Sequence, residues 1–280
     1  PTPQILETLK LCLTNYRGPV QINAQFDMPL LPEDVEVRKP NRISVELKNE
    51  PLEQVELELP PHGVIVVGDI APSEQVAKLE ALANQTGYPI IWEPTAQLQN
   101  NKNALCHGAL LLQTGKTPTP EVVISAGVIG LSRSVLGLLN TAPRHIAIHL
   151  STAGSDLPDP VLSATEFLKT VPSVKTKIDP TWLAKWQEMD QAVHEVVNQK
   201  LGGQTLSGPS AAVSLWKQLP DSANLFIAPS WPVRHIEFYG NTRAGLTTYG
   251  NRGVNGIDGL ISTACGVALT KTSRTYLLMG

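Results

Sequence analysis

The sequence predicts an α/β protein with parallel sheets, and three observations carry that expectation. First, short apolar runs bounded by glycine or proline recur along the chain: His62–Gly68, Pro89–Trp92, Val122–Ser125, His145–Leu150, Asn224–Ala228 and Leu246–Tyr249. Such runs fit strands buried on both faces. Second, stretches with helical spacing of apolar residues lie between them, and that alternation implies parallel pairing. Third, the glycine-punctuated run Asn251 to Gly259 joins the strand at Leu246–Tyr249 to a helix-spaced apolar stretch, Leu260–Leu269. Its glycines allow positive φ and a close approach of the backbone to a ligand.

The elements follow in order. Gly18 to Asn23 alternates like a strand, after which Pro29, Pro32 and Pro40 break regular structure, so residues 24–60 read as a linker with short extended pieces. Behind the strand at His62–Gly68, residues 73–86 carry helical spacing at Val76, Leu79, Leu82 and Ala83. Ser73 suits the N-cap of that helix and Gly87 its stop. Gly130 to Leu139 is the expected helix between the strands at Val122 and His145. Pro158 and Pro160 open an irregular stretch. Residues 180–200 form one amphipathic helix with Trp182, Trp186, Met189, Val193 and Val197 on a single side. Gly202-Gly203 ends it and marks a domain boundary. The alternation then restarts: a helix over Ser210–Gln218, the strand at Asn224, a helix from about Ser230, the strand before Asn251, another helix, and a strand from Thr275 to Met279.

Composition narrows the function. A chain of 280 residues accommodates two domains. Its net charge of −3 disfavours a nucleic-acid or anionic-membrane surface, which needs a basic excess. Three separated cysteines (Cys12, Cys106 and Cys265) form no CxxC pair and fit a reducing cytoplasm. No apolar run approaches the roughly 20 residues of a membrane span. The chain begins without Met and stops inside an apolar strand, so a piece of a longer polypeptide is expected.

Three residues should share the carboxyl edge of the last sheet, where open α/β sheets bind ligands. Ser230 follows a strand, Arg234 lies four residues further along the same helix face, and Arg252 follows a later strand. Two guanidinium groups at one crevice suit a substrate with carboxylates, because each binds carboxylate bidentately and stays charged. Plainer readings stand beside this one. Ser230 serves equally as an N-cap. Arg234 alone reads as a solvated helix charge. Arg252 alone could cap a carbonyl or pair with Asp258, and Asp258 suits a first helical turn. Ile257 alone reads as core packing. His145 and His149 would lie about 13 Å apart along a strand, too far for one metal. The glycines from Gly63 to Gly68 lack the GxGxxG of a dinucleotide loop.

Ser230-Trp231-Pro232-Val233-Arg234 and Asn251-Arg252-Gly253-Val254-Asn255-Gly256-Ile257-Asp258-Gly259 together resemble the 2-succinyl-5-enolpyruvyl-6-hydroxy-3-cyclohexene-1-carboxylate synthase family, which uses thiamine diphosphate. The resemblance implies a Rossmann-like parallel-sheet central domain followed by the first half of a second, thiamine-diphosphate-binding α/β domain. It divides the chain into residues 1–40, the end of a pyrimidine-binding domain and its linker; residues 41–203, the central domain with its linker helix; and residues 204–280, the N-terminal part of a diphosphate-binding domain.

Roles follow by resemblance. Ser230, Arg234 and Arg252 would contact the acid substrates, and Arg133, after the loop Gly127 to Ser132, would add a basic group from the central domain. Family members carrying Lys-Arg there differ from this chain, which has Ser132 before Arg133. Ile257 would sit beneath the cofactor, the carbonyl near Val254 would accept from its amine, and Gly280 would open its diphosphate site. The catalytic glutamate is expected upstream of Pro1 and the metal-binding Asp after Gly280, so neither a catalytic residue nor a metal ligand is assigned within the chain.

The implied reaction decarboxylates 2-oxoglutarate and adds the resulting succinyl carbanion equivalent to isochorismate, in menaquinone or phylloquinone biosynthesis. Thiamine diphosphate and Mg2+ belong to the intact enzyme, expected to be a cytoplasmic homo-oligomer; the 280 residues alone are expected to bind neither and to be inactive. The rival reading is a non-catalytic α/β module that holds an acidic metabolite through Arg133, Arg234 and Arg252.

Overall fold

The computed structural model describes residues 55–70, 74–98, 101–149, 159–203, 205–251 and 256–280, all within one compact unit spanning 53–150 and 157–280. Ser73, Arg252 and Val254 are among the residues outside that description.

In chain order the elements are β1 (Glu56–Leu59), β2 (Gly63–Val67), α1 (Glu74–Thr86), β3 (Ile90–Trp92), α2 (Gly108–Leu112), β4 (Val122–Ala126), α3 (Arg133–Thr141), β5 (His145–Ile148), β6 (Glu166–Leu168), β7 (Ser173–Thr176), α4 (Pro180–Leu201), α5 (Gly208–Gln218), β8 (Asn224–Ile227), α6 (Trp231–Tyr239), β9 (Thr247–Gly250), α7 (Leu260–Thr270) and β10 (Thr275–Leu278). The main sheet runs β3-β2-β4-β5-β6, a second runs β10-β8-β9, and β1 pairs with β7. Every pairing is parallel. The α/β expectation therefore holds.

Why these residues form a sheet covered on both sides is visible in β2. Its side chains alternate across the pleat. Ile65 and Val67 join the core on the α1 side, with Leu79, Ile90 and Ile124. Val64 and Val66 join the opposite core, with Leu105, Val135, Leu139, Trp182 and Trp186. Burying each such aliphatic side chain contributes about 1.5–3 kcal/mol. The α1-side core continues without a break into Trp216, Leu225, Ile227 and Ile236 of the second sheet and its helices. Trp92 of the first sheet stacks on Trp216 of α5 with ring centroids 6.3 Å apart.

Helix α4 closes the second core. Asp179 caps it, accepting from Thr181 N at 2.9 Å, and Pro180 occupies its first turn. The Asp179 carboxyl is pulled down to about 2, first by hydrogen bonds from Thr181 and then by His62 at 2.9 Å. The His62 ring also stacks on Trp182, at 4.7 Å.

Boundaries differ from expectation in two places. The helix expected from Gly130 starts at Arg133, because Val128 pairs with Asp69 and the N–H groups of Gly130 and Leu131 are bound to Glu93. The stretch read as irregular after Pro160 contains β6 and β7, three- and four-residue strands that are partly exposed and too short to show a period. The stretch read as a linker with short extended pieces holds one of them, β1, near its end. Gly87 stops α1 as expected, at φ 72°.

Candidate functional site

Strand β8 is buried throughout and delivers the chain to Ser230 at its carboxyl end. Ser230 holds the N-cap position of α6 with φ 80° and ψ −135°, and its side chain makes no capping hydrogen bond. The plain N-cap reading thus fails: the position is right but the hydroxyl is not spent on the helix. That backbone region is one only glycine enters without strain, and such outliers gather at functional sites. Helix α6 buries Pro232, Val233, Ile236 and Glu237 and leaves Ser230 exposed and Arg234 half-buried. Arg234 makes no hydrogen bond or ion pair among the described residues, so its five donors remain for a ligand. Beside it, Trp231 is 66 % exposed and stacks on His235 at 5.7 Å.

The end of β10 reaches the same edge. A Cβ built on Gly280 would lie 3.9 Å from Pro232 Cγ, which sets Gly280 against the first turn of α6. Ser230, Arg234 and Gly280 are therefore brought to one edge of the second sheet. From β9 the chain continues through half-buried Gly250 and Asn251 toward Arg252 and Val254, which lie outside the described residues. Past that turn, Ile257 is 83 % exposed, so core packing does not explain it. Asp258 is exposed and has no partner among the described residues. Gly259, at φ 77°, caps α7 and accepts from Thr263 N at 2.9 Å.

Arg133 stands elsewhere, as the first residue of α3 at the carboxyl edge of the main sheet, exposed and without a polar partner among the described residues. The loop before it is held at two points. Asp69 and Val128 exchange backbone hydrogen bonds, both 2.8 Å, and Gly127 turns at φ 76°. The Glu93 carboxylate accepts from Gly130 N at 2.9 Å and Leu131 N at 2.8 Å. Ser132 is buried against Ser134, 2.8 Å away, so position 132 presents no polar group to solvent. Burial pushes the Asp69 carboxyl up to about 6.

Sequence reasoning missed Asp69, Glu93 and Gln97. The first two had a signal, an acid directly after an apolar strand run. Gln97 had none: it adopts φ 58° without being glycine.

Comparison with known proteins bears on this arrangement. The 2-succinyl-5-enolpyruvyl-6-hydroxy-3-cyclohexene-1-carboxylate synthase of Thermobifida fusca is 35 % identical over 269 residues, 91 % of this chain and 48 % of that protein. The chain belongs to this synthase family. Proteins of the same name from Rippkaea orientalis and Shewanella frigidimarina are 30 % and 27 % identical, over 79 % and 100 % of the chain and 42 % and 55 % of their own lengths. The chain thus spans about half the length of the synthases it matches. No family model matches it. Among the described residues, no helix is long and apolar enough to cross a membrane.

Proposed function

We propose that this chain supplies the substrate-side edge of a thiamine-diphosphate-dependent synthase that joins the succinyl unit of 2-oxoglutarate to isochorismate. One observation carries the reading: Ser230, in a backbone conformation natural to glycine, and Arg234, without a polar partner among the described residues, stand together where β8 opens into α6. The 35 % identity to a synthase of that name supports it.

Each residue has a physical task. Arg234 and Arg252 would each grip a carboxylate bidentately, which matters because both substrates are dianions that must approach each other. Ser230 would add a hydroxyl donor beside them, and Arg133 a further positive charge from the main sheet's edge. Held donors aimed at developing charge need no reorganisation during the reaction. Thiamine diphosphate, when bound, supplies the acyl-carbanion chemistry. The residues present fit it on the apolar side: Ile257 is an exposed aliphatic group on a turn and would be the bulky residue beneath the cofactor that holds its two rings in a V shape. Gly280, lacking a side chain beside Pro232, leaves room for a diphosphate, and the carbonyl near Val254 would accept from the cofactor's amine. No metal ligand is assigned to this chain. The domain bounds at 40 and 203, a homo-oligomeric and cytoplasmic intact enzyme, and the inactivity of the 280 residues alone belong to the same proposal.

Arg252→Ala in an intact enzyme carrying this sequence tests it. The expected loss in kcat/KM corresponds to about 2–4 kcal/mol, as for removal of a charged contact to the transition state. An unchanged kcat/KM would reduce the turn to scaffolding.

A further inference from the structure

One short connection touches both of the loops that lead to the arginines. After β3 the chain runs Glu93-Pro94-Thr95-Ala96-Gln97-Leu98, buried along its whole length. At its start Glu93, 3 % exposed, accepts the N–H groups of Gly130 and Leu131, just ahead of Arg133. At its far end Gln97, 7 % exposed, reaches the second sheet. The Gln97 Nε2 donates to Thr248 O at 2.6 Å and its Oε1 accepts from Thr248 N at 3.2 Å. Between them, Thr95 Cγ2 lies 3.7 Å from where a side chain at Gly250 would begin.

The Gln97 contact has the form of strand pairing. Strand β9 lies at one side of its sheet, and Thr247 N bonds inward to Ala223 O at 3.0 Å. Thr248 N and O therefore face outward, where an unpaired edge would let the strand shift. The primary amide of Gln97 meets both, as a neighbouring peptide group would. Burying an amide and a carboxylate is costly unless their hydrogen bonds are made. Apolar side chains would fill this seam without that cost, but they would not specify where the backbones of Thr248, Gly130 and Leu131 must lie.

We infer that Glu93 and Gln97 are positioning residues: the segment between them clasps the Arg133 loop and strand β9, and so sets the spacing between that loop and that strand, on which binding of a doubly charged substrate would depend. The functional half of this inference rests on the substrate reading above; the clasp itself does not.

The test has two arms. In the 280-residue chain, amide hydrogen exchange would be compared for Gln97→Leu, Glu93→Gln and a core control, Leu79→Ala. Gln97→Leu should speed exchange at Thr248 by about tenfold or more and leave Leu225 and Phe226 in β8 unchanged, since local opening exposes only the released strand. Glu93→Gln should act selectively at Gly130 and Leu131. Unchanged exchange at Thr248, or a rise spread over the molecule as in Leu79→Ala, would overturn the clasp.

In the intact enzyme, Gln97→Leu should raise KM for the acid substrates by about tenfold while kcat moves less than about twofold, because a displaced binding group weakens ground and transition states together. An unchanged KM, where Arg252→Ala does raise it, would overturn the positioning role and leave the substrate reading intact. If Arg252→Ala is silent too, the failure belongs to the substrate reading, and exchange alone decides the clasp.

Discussion

In the main sheet every residue of β2, β3, β4 and β5 is buried, whereas in the second sheet only β8 is; β10 is half-buried at all four positions. The helices differ in the same sense. Helix α4 sets Trp182 and Trp186 into the core beneath the main sheet, while α7 buries only Leu260 and Ala264 and exposes Ile261 at 60 % and Leu269 at 88 %. The difference separates two jobs. Stability concentrates where a sheet is covered on both faces, and of the described groups proposed for substrate binding, Ser230 and Arg234 stand at the edge of the sheet that is covered less, with Arg133 alone at the edge of the main sheet. Ser230, with its positive φ, lies on that second sheet.

Three measurements sharpen or break the contrast. The largest effect is expected from Trp186→Ala, which empties a fully buried site in the main core and should cost about 3–5 kcal/mol in urea denaturation followed by circular dichroism. A loss below about 1 kcal/mol would show that the main core does not dominate stability.

Next comes Asp69→Asn, which asks whether the well-covered sheet also stores strain at its carboxyl edge. Burial raises the Asp69 carboxyl from 3.8 to about 6, so the folded state binds the proton more tightly than the unfolded state. Stability is then full below the unfolded value and falls as pH rises through the folded one. Asparagine should accordingly stabilise by up to about 3 kcal/mol above the folded pKa, and the gain should vanish in acid below the unfolded one. Thermal melts across that range check the sign; a gain independent of pH would exclude the carboxyl as its cause. The smallest effect is expected from Leu269→Ser on α7, within about 0.5 kcal/mol because that side chain is nearly free of contacts. A larger loss would mean α7 contributes more to the fold than its exposure indicates.

Much of the fold was legible because apolar periodicity and glycine stops mark long, buried elements. The strands at Gly63, Ile90, Val122, His145 and Asn224 and the helix over 180–201 announce themselves this way. What escaped were β6, β7 and α2, of three, four and five residues, whose pairing is decided by tertiary contact. At the site, Ser230 and Arg234 could be placed by spacing alone, since a strand end and a helix start fix both. The unusual backbone of Ser230 could not, because serine gives no cue to positive φ. Nor could Gln97: its amide serves a strand 151 residues away, and no local pattern records that distance.

Glycine's small size has one further consequence, at the place where strand order reverses between β2 and β4. A Cβ on Gly68 would fall 2.3 Å from Val128 O, and one on Gly127 would fall 2.6 Å from Asp69 O. Main chain is stitched to main chain across the mouth through which a dinucleotide's phosphates enter sheets of this design. Just ahead of α3, the loop N–H groups of Gly130 and Leu131, which could otherwise meet an anion, are already taken by the carboxylate of Glu93.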